Sequence, residues 1–160
     1  MKLKLFLVAV MVAALVVGCG QKKGWREKHI NNYDVCLLES NEVVKNDTLN
    51  GRALFVVSIS PDKDTSYSIY LPSKSQQYLR EEYMEIDDYV VINNKKYLLP
   101  LHTAWTIDAV PELGIFCGYE ISLDLTFDGQ VAPKFLSMPK IEVSYHHHNE
   151  TPIKMTFVAE

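Results

Sequence analysis

The sequence is poor in glycine and lacks the short motifs of common catalytic sites. Only 7 of its 160 residues are glycine, which leaves few positions for loops whose backbone curls closely around a phosphate. It contains no Gly-x-Ser-x-Gly elbow, no His-Glu-x-x-His and no phosphate-binding glycine loop. These signatures of catalysis are therefore excluded. No catalytic residue and no cofactor is expected, and the sequence does not reveal a specific activity.

Basic residues and cysteines are also few. The chain has 16 Lys and Arg against 20 Asp and Glu, a formal net charge of −4 at pH 7. Because no basic excess is available to hold phosphates, nucleic acid is not expected as a partner. The three cysteines are Cys19, Cys36 and Cys117. That number is too small for a disulfide-rich framework.

Long apolar runs are absent except at the amino terminus. Lys2 and Lys4 precede thirteen uninterrupted apolar residues, Leu5 to Val17, and Gly18-Cys19-Gly20 follows them. A charged start, an apolar run of about 7–15 residues and a small-residue end are the parts of a secretory signal peptide, in that order. A permanent transmembrane helix needs about 20 apolar residues. The run is therefore expected to be a signal for export.

The end of this signal resembles the lipobox of bacterial lipoproteins. Val16-Val17-Gly18-Cys19 has the lipobox order of an aliphatic residue, a small or aliphatic residue, Gly or Ala, and Cys. The resemblance implies that residues 1–18 are removed and that Cys19 carries the acyl chains, palmitate among them. Two or more acyl chains hold a protein stably on a bilayer, since each buried methylene contributes about 0.8 kcal/mol. The mature protein would be anchored to the membrane without spanning it.

The mature chain would be one acidic domain behind a short tether. Removing residues 1–18 leaves 142 of 160 residues and 14 basic against 20 acidic residues, a formal charge of −6. This length suits a single domain. Residues 19–32 are expected to form the lipidated tether, and residues 33–160 the domain. An exported protein meets an oxidising compartment, so Cys36 and Cys117 are a candidate disulfide; two separate buried thiols are the alternative.

The resemblance also implies a membrane. In lipoproteins of enteric bacteria, Asp directly after the lipidated Cys retains the protein at the inner membrane, and here that residue is Gly20. This favours the outer membrane. In the Bacteroides group, acidic residues after the Cys favour surface display, and Gln21-Lys22-Lys23 contains none. The periplasmic face of the cell envelope is therefore favoured.

Hydrophobic periodicity after residue 32 is typical of β-strands. In Ile115–Phe127, apolar residues alternate with mostly polar ones, which predicts a strand with one face in a core. Asn93-Asn94 and residues 149–152 predict hairpin turns, because Asn tolerates a positive φ and Pro ends strands. The predicted strands are Tyr33–Leu38, Arg52–Ser60, Ser66–Leu71, Tyr89–Ile92, Tyr97–Leu101, Ile115–Phe127, Ile141–His147 and Ile153–Val158.

About eight strands with frequent turns predict a mostly β domain. An antiparallel immunoglobulin-like β-sandwich is the first choice, and a small up-and-down β-barrel is the alternative. Ser73-Lys74-Ser75-Gln76 has the form of a capping box, and Leu79, Tyr83 and Ile86 share one helical face. One short helix is therefore expected over residues 74–85.

Candidate binding residues are few. His146 and His148 would point the same way on a strand and are weak candidates for metal binding, because a stable site needs a third ligand. His102 and Trp105 lie in a Pro-bounded loop that is the first place to look for a pocket. Asp47-Thr48-Leu49 resembles the O-glycan acceptor of Bacteroides-type exported proteins, which makes Thr48 a weak candidate for glycosylation.

Two functions fit these features. The first is a non-catalytic binding or assembly module, held in the cell envelope by its lipid, that meets a protein or a glycan; an exposed edge strand is one way to accept a partner. The second is a small-ligand or metal carrier, or a hydrolase, with a cavity inside a barrel. The tether and the lack of catalytic motifs favour the first.

Overall fold

The computed structural model describes residues 24–46, 49–72, 82–83, 88–99, 103–107, 110–115, 118–123, 134–147 and 150–159. The signal peptide and the lipobox lie outside these residues. The strands are β1 (Arg26–Ile30), β2 (Tyr33–Glu39), β3 (Val44–Lys45), β4 (Asn50–Gly51), β5 (Leu54–Ile59), β6 (Thr65–Pro72), β7 (Glu82–Tyr83), β8 (Tyr89–Ile92), β9 (Lys95–Leu98), β10 (Thr103–Ile107), β11 (Gly118–Leu123), β12 (Lys140–His146) and β13 (Ile153–Val158). Two 3-10 turns cover Pro111–Leu113 and Phe135–Ser137.

The strands form antiparallel sheets. The larger sheet has seven strands in the order β1-β2-β5-β6-β11-β10-β7, and a second has four in the order β13-β12-β8-β9. A separate two-stranded ribbon pairs β3 with β4. Among the described residues no sheet closes on itself. The mostly β, antiparallel prediction is confirmed, and the small up-and-down barrel is wrong for this part of the chain.

Paired asparagines make the tightest hairpins. Asn93 and Asn94 join β8 to β9 with φ angles of 47° and 66°. Asn31 and Asn32 join β1 to β2 in the same way, with φ angles of 49° and 68°. Two successive residues with positive φ give the turn whose twist matches that of the flanking strands. The turn predicted at Asn93-Asn94 is confirmed.

Both large sheets contribute to one core. Phe55 of β5 makes edge-to-face contacts with Phe135, at 5.0 Å between ring centroids, and with Phe157 of β13, at 5.6 Å. All three rings are buried. Burying an aromatic side chain of this kind typically stabilises a domain by about 3–5 kcal/mol relative to Ala. The interior between the described strands is therefore filled by side chains.

A smaller apolar cluster lies on the opposite face of the larger sheet. Leu113 and Ile115, from the hairpin that joins β10 to β11, pack against four residues that point away from the main core: Val35, Leu37, Leu54 and Val56. Gly118 allows the chain at the end of this hairpin to pass close to β6. A Cβ at this position would lie 2.5 Å from the carbonyl oxygen of Leu71. This hairpin thus covers the part of the outer face that β2 and β5 form.

The ordered domain begins earlier than the sequence indicated. Residues 26–30 had been assigned to the tether, but they form β1 and pair with β2 along its length. Trp25, which also falls within the expected tether, is buried against Phe55 at 6.2 Å between ring centroids. The described β-sheet structure therefore starts before residue 33, the expected first residue of the domain.

Two predicted elements need correction. The helix expected over residues 74–85 includes residues 82 and 83, which instead form β7 and pair with β10. The rest of that segment lies outside the described residues. The strand expected at Ile115–Phe127 is described only as β11, Gly118–Leu123, and Ile115 forms an isolated bridge with Val110. In the described part of the chain, no helix has the length and apolarity that crossing a bilayer requires.

Candidate functional site

Five residues that the sequence singled out lie outside the described residues. They are Cys19, Thr48, His102, Cys117 and His148. Lipid attachment at Cys19 and glycosylation at Thr48 therefore stay predictions. His146 and Cys36 are described, and so is the backbone of Trp105.

Cys36 lies fully buried in the main core and is disulfide-bonded. Its pairing with Cys117 stays a prediction, because Cys117 lies outside the described residues.

His146 belongs to a stacked row on the outer face of the four-stranded sheet. Its ring lies parallel to that of Tyr89, with centroids 4.3 Å apart. Lys96 places its Nζ atom 3.9 Å from the centroid of the same Tyr89 ring. The His146 Nε2 atom lies 3.0 Å from the Ser144 hydroxyl oxygen. Neighbouring side chains thus already contact both the ring and one ring nitrogen of His146.

The next residue, His147, faces the opposite way and meets a buried carboxylate. Its Nδ1 atom lies 2.8 Å from Oδ2 of Asp88, whose side chain is 0% exposed. The Tyr145 hydroxyl donates to the same carboxylate oxygen over a longer 3.4 Å. One hydrogen bond therefore joins the imidazole to the carboxyl group, and the tautomer of the ring decides which atom donates.

This Asp–His pair has two chemical uses. A carboxylate that orients a histidine through Nδ1 is a component of acid–base and metal sites. Such a pair also satisfies a carboxylate that would otherwise be costly to bury. Among the described residues, no group of three or more His, Cys, Asp or Glu side chains is arranged to hold a metal ion. The pair holds the end of β12 to the segment that begins β8.

A second polar cluster lies on the same outer face of the larger sheet, beside the smaller apolar cluster. We define the Glu120 face as Ser66, Ser68 and Tyr70 of β6 together with Glu120 and Ser122 of β11. These residues alternate with core residues along their strands, and the register pairs Ser68 with Ser122 and Tyr70 with Glu120. All five are at least partly exposed. The face therefore presents hydroxyls around one carboxylate.

The Glu120 carboxylate is held by its neighbours. The Ser68 hydroxyl donates a hydrogen bond of 3.0 Å to Oε1 of Glu120. Burial raises the pKa of Tyr70 well above its usual value of 10, and the negative charge of Glu120 and a hydrogen bond to it raise this pKa further. Tyr70 thus remains a neutral hydrogen-bond donor. Among the described residues, Ser68 and Tyr70 occupy two of about four acceptor positions that a carboxylate offers.

Trp105 stands beside this cluster in the register. It lies on β10, directly opposite Glu120 of β11. The sequence predicted that Trp105 lay in a loop and marked that loop as the first place to look for a pocket. The position is instead on a strand, next to the only carboxylate that the described residues contribute to this face. His102 lies outside the described residues.

Both carboxylates at these clusters were missed by sequence reasoning. Asp88 is the last residue of an acidic run whose composition predicts a solvated surface, yet it is 1% exposed. The alternation in Ile115–Phe127 predicts that Glu120 faces water, which is correct. It does not indicate that Ser68 and Tyr70 contact Glu120. The pairing of β11 with β6 brings them together, and it joins segments 52 residues apart. Alternation along one strand does not identify its neighbour.

Comparisons with known proteins give no further assignment. No family model, no curated protein and no solved structure matches this chain.

Proposed function

We propose that this protein is a bacterial lipoprotein of the cell envelope that acts as a non-catalytic binding or assembly module. A lipid on Cys19 holds the protein at a membrane. The outer membrane is favoured over the inner one, and its periplasmic face over the cell surface. The charged, apolar and lipobox parts of residues 1–20 support the anchor.

The Glu120 face is the observation that carries the binding role. It is a polar, partly exposed surface next to a strand that contains Trp105. Specific binding needs a few well-held polar groups, and Glu120 is held by Ser68 and Tyr70. A partner that donates hydrogen bonds would meet this carboxylate directly.

The carrier or hydrolase alternative is less well supported. It requires a cavity within the β domain. Phe55, Phe135 and Phe157 occupy the space between the described strands of the two sheets. A structural role is enough to account for the Asp88–His147 pair, because a buried carboxylate needs hydrogen-bond partners.

We also propose that the two sheets pack as an immunoglobulin-like sandwich. Their shared core supports a sandwich. Two pairings, β6 with β11 and β8 with β12, skip along the chain as Greek-key connections do. An experimental structure that shows the two sheets packed at about 30° would support this assignment, and orthogonal packing would oppose it.

Crosslinking in cells tests the binding role. Wild-type protein and Cys19→Ala would be crosslinked in the native host, solubilised in detergent and analysed for attached envelope components. We expect a partner that is enriched with wild type and reduced or lost with Cys19→Ala. Wild-type protein that captures nothing, but turns over a substrate, would contradict the proposal.

A further inference from the structure

We propose that the Glu120 face binds a neutral glycan. This inference rests on the proposed binding function and names the partner class of the same face. It stands on the chemistry that the described side chains present and on their spacing.

The first step is the donor and acceptor set. Hydroxyls of Ser66, Ser68 and Ser122 both donate and accept hydrogen bonds, whereas the Glu120 carboxylate accepts them. Sugar hydroxyls also both donate and accept, so they complement a surface that mixes the two types. The charged member of this face is Glu120, so a ligand that carries negative charge would be repelled by it.

The second step is the spacing. Adjacent strands lie about 4.8 Å apart, and residues two apart on one strand lie about 6–7 Å apart. Ser68 is opposite Ser122, and Tyr70 is opposite Glu120. These four positions, all at least partly exposed, therefore form a patch about the size of one sugar ring.

The third step is the preorganisation of Glu120. Ser68 and Tyr70 hold the carboxylate before any ligand arrives. A held acceptor loses less side-chain entropy on binding than a mobile one. Glycoside hydrolysis generally needs a pair of carboxylic residues on either side of the bond that breaks. The described part of this face supplies one, which fits recognition of a glycan without cleavage.

Affinity electrophoresis tests the inference. Full-length protein purified from membranes in a non-ionic detergent would be run in native gels that contain laminarin, xylan, mannan or dextran, and in a gel without polysaccharide. We expect at least one neutral polysaccharide to retard the wild-type protein. Glu120→Gln should bind it roughly tenfold more weakly, because one charged acceptor is lost.

The matched control is Glu142→Gln. Glu142 is exposed on the four-stranded sheet and paired with Lys140, so the same change in charge is made away from the Glu120 face. This variant should be retarded as the wild type is, after correction for its mobility in the plain gel. Thermal unfolding followed by circular dichroism shows that both variants are folded.

Two results would overturn the inference. One is a set of gels in which no polysaccharide retards the wild type; the other is equal retardation of wild type and Glu120→Gln. If crosslinking then captures a protein partner, the proposed binding function stands and the glycan assignment alone fails. If it captures neither a protein nor a glycan, both proposals fail.

Discussion

The Nδ1 atom of His147 lies 2.8 Å from Oδ2 of Asp88, although the two residues are 59 positions apart. The contact joins the end of β12 to the segment that opens β8. Asp88 is fully buried, whereas 31% of the His147 side chain is exposed. Exposed Asp34 and His29 form a second Asp–His contact at 3.0 Å. The domain thus contains the same pair of side chains in two environments.

The buried pair should contribute far more to stability than the exposed one. We expect Asp88→Ala to lower the free energy of unfolding by about 2–3 kcal/mol, because it removes a buried group that Tyr145 and His147 both contact. Asp34→Ala should cost less than about 1 kcal/mol, since exposed ion pairs are screened by water. Urea unfolding of both variants at pH 7 measures the difference. Equal losses would contradict the structural role assigned to Asp88.

Tyr70 should make the protein lose stability in alkaline solution. Burial, assisted by Glu120, raises its pKa above the usual value of 10 in the folded protein. Above about pH 10 the unfolded chain releases this proton while the folded protein keeps it. The contribution of Tyr70 to the free energy of unfolding is therefore complete below pH 10. It falls as the pH rises further, by up to about 1.4 kcal/mol per pH unit.

Urea unfolding between pH 9 and 11 checks this dependence. Tyr70→Phe should flatten the alkaline decline, although burial also raises the pKa of Tyr67 and of Tyr97, so part of the decline should persist. Tyr33→Phe is the matched control, because Tyr33 is 45% exposed. A decline that Tyr70→Phe leaves unchanged would show that Tyr70 ionises alike in both states.

The two Asn-Asn hairpins separate backbone strain from a side-chain contact. Asn93 and Asn31 have nearly equal φ angles, 47° and 49°. Oδ1 of Asn93 also accepts a 2.8 Å hydrogen bond from the backbone N–H of Glu142. Replacement by Ala should strain both turns by about 1–2 kcal/mol. Asn93→Ala should cost roughly 1 kcal/mol more, because the side-chain hydrogen bonds to the Glu142 N–H, the Lys140 carbonyl oxygen and Met138 Sδ are lost. Equal losses in chemical unfolding would contradict a role for these contacts.

The sequence predicted local structure better than long-range pairing. Tyr89–Ile92 and Ile153–Val158 match the observed strands in their bounds, because alternation and flanking turn residues are local signals. The hairpin at Asn31-Asn32 carries the same signal as Asn93-Asn94. It was missed because the basic residues around it suggested a tether. The basic composition of this segment was therefore weaker evidence for its structure than its pair of turn-forming asparagines.

The candidate site was harder to predict for a physical reason. Asp88 follows four other acidic residues in a short stretch, and their composition indicated a solvated surface. Its burial depends on Tyr145 and His147, which reach it only through the pairing of β12 with β8. The contacts of Glu120 with Ser68 and Tyr70 depend likewise on the pairing of β11 with β6. Non-local partners of this kind leave no pattern along the chain.

The cysteines provide a test that links the fold to the anchor. Lipid on the sulfur of Cys19 prevents that sulfur from forming a disulfide. We therefore expect non-reducing peptide maps of the mature protein to contain no peptide that links Cys19 to Cys36. Finding that link would contradict the lipid anchor. A link between Cys36 and Cys117 would confirm the bridge expected from the sequence.

Intact-mass spectrometry of the protein from its native host tests the membrane anchor most directly. The proposal predicts a chain that begins at Cys19 and is heavier than residues 19–160 by the mass of its acyl groups. Treatment that cleaves esters should remove part of that added mass. A chain that still begins at Met1 and carries no acyl mass would contradict the lipoprotein assignment and the function built on it.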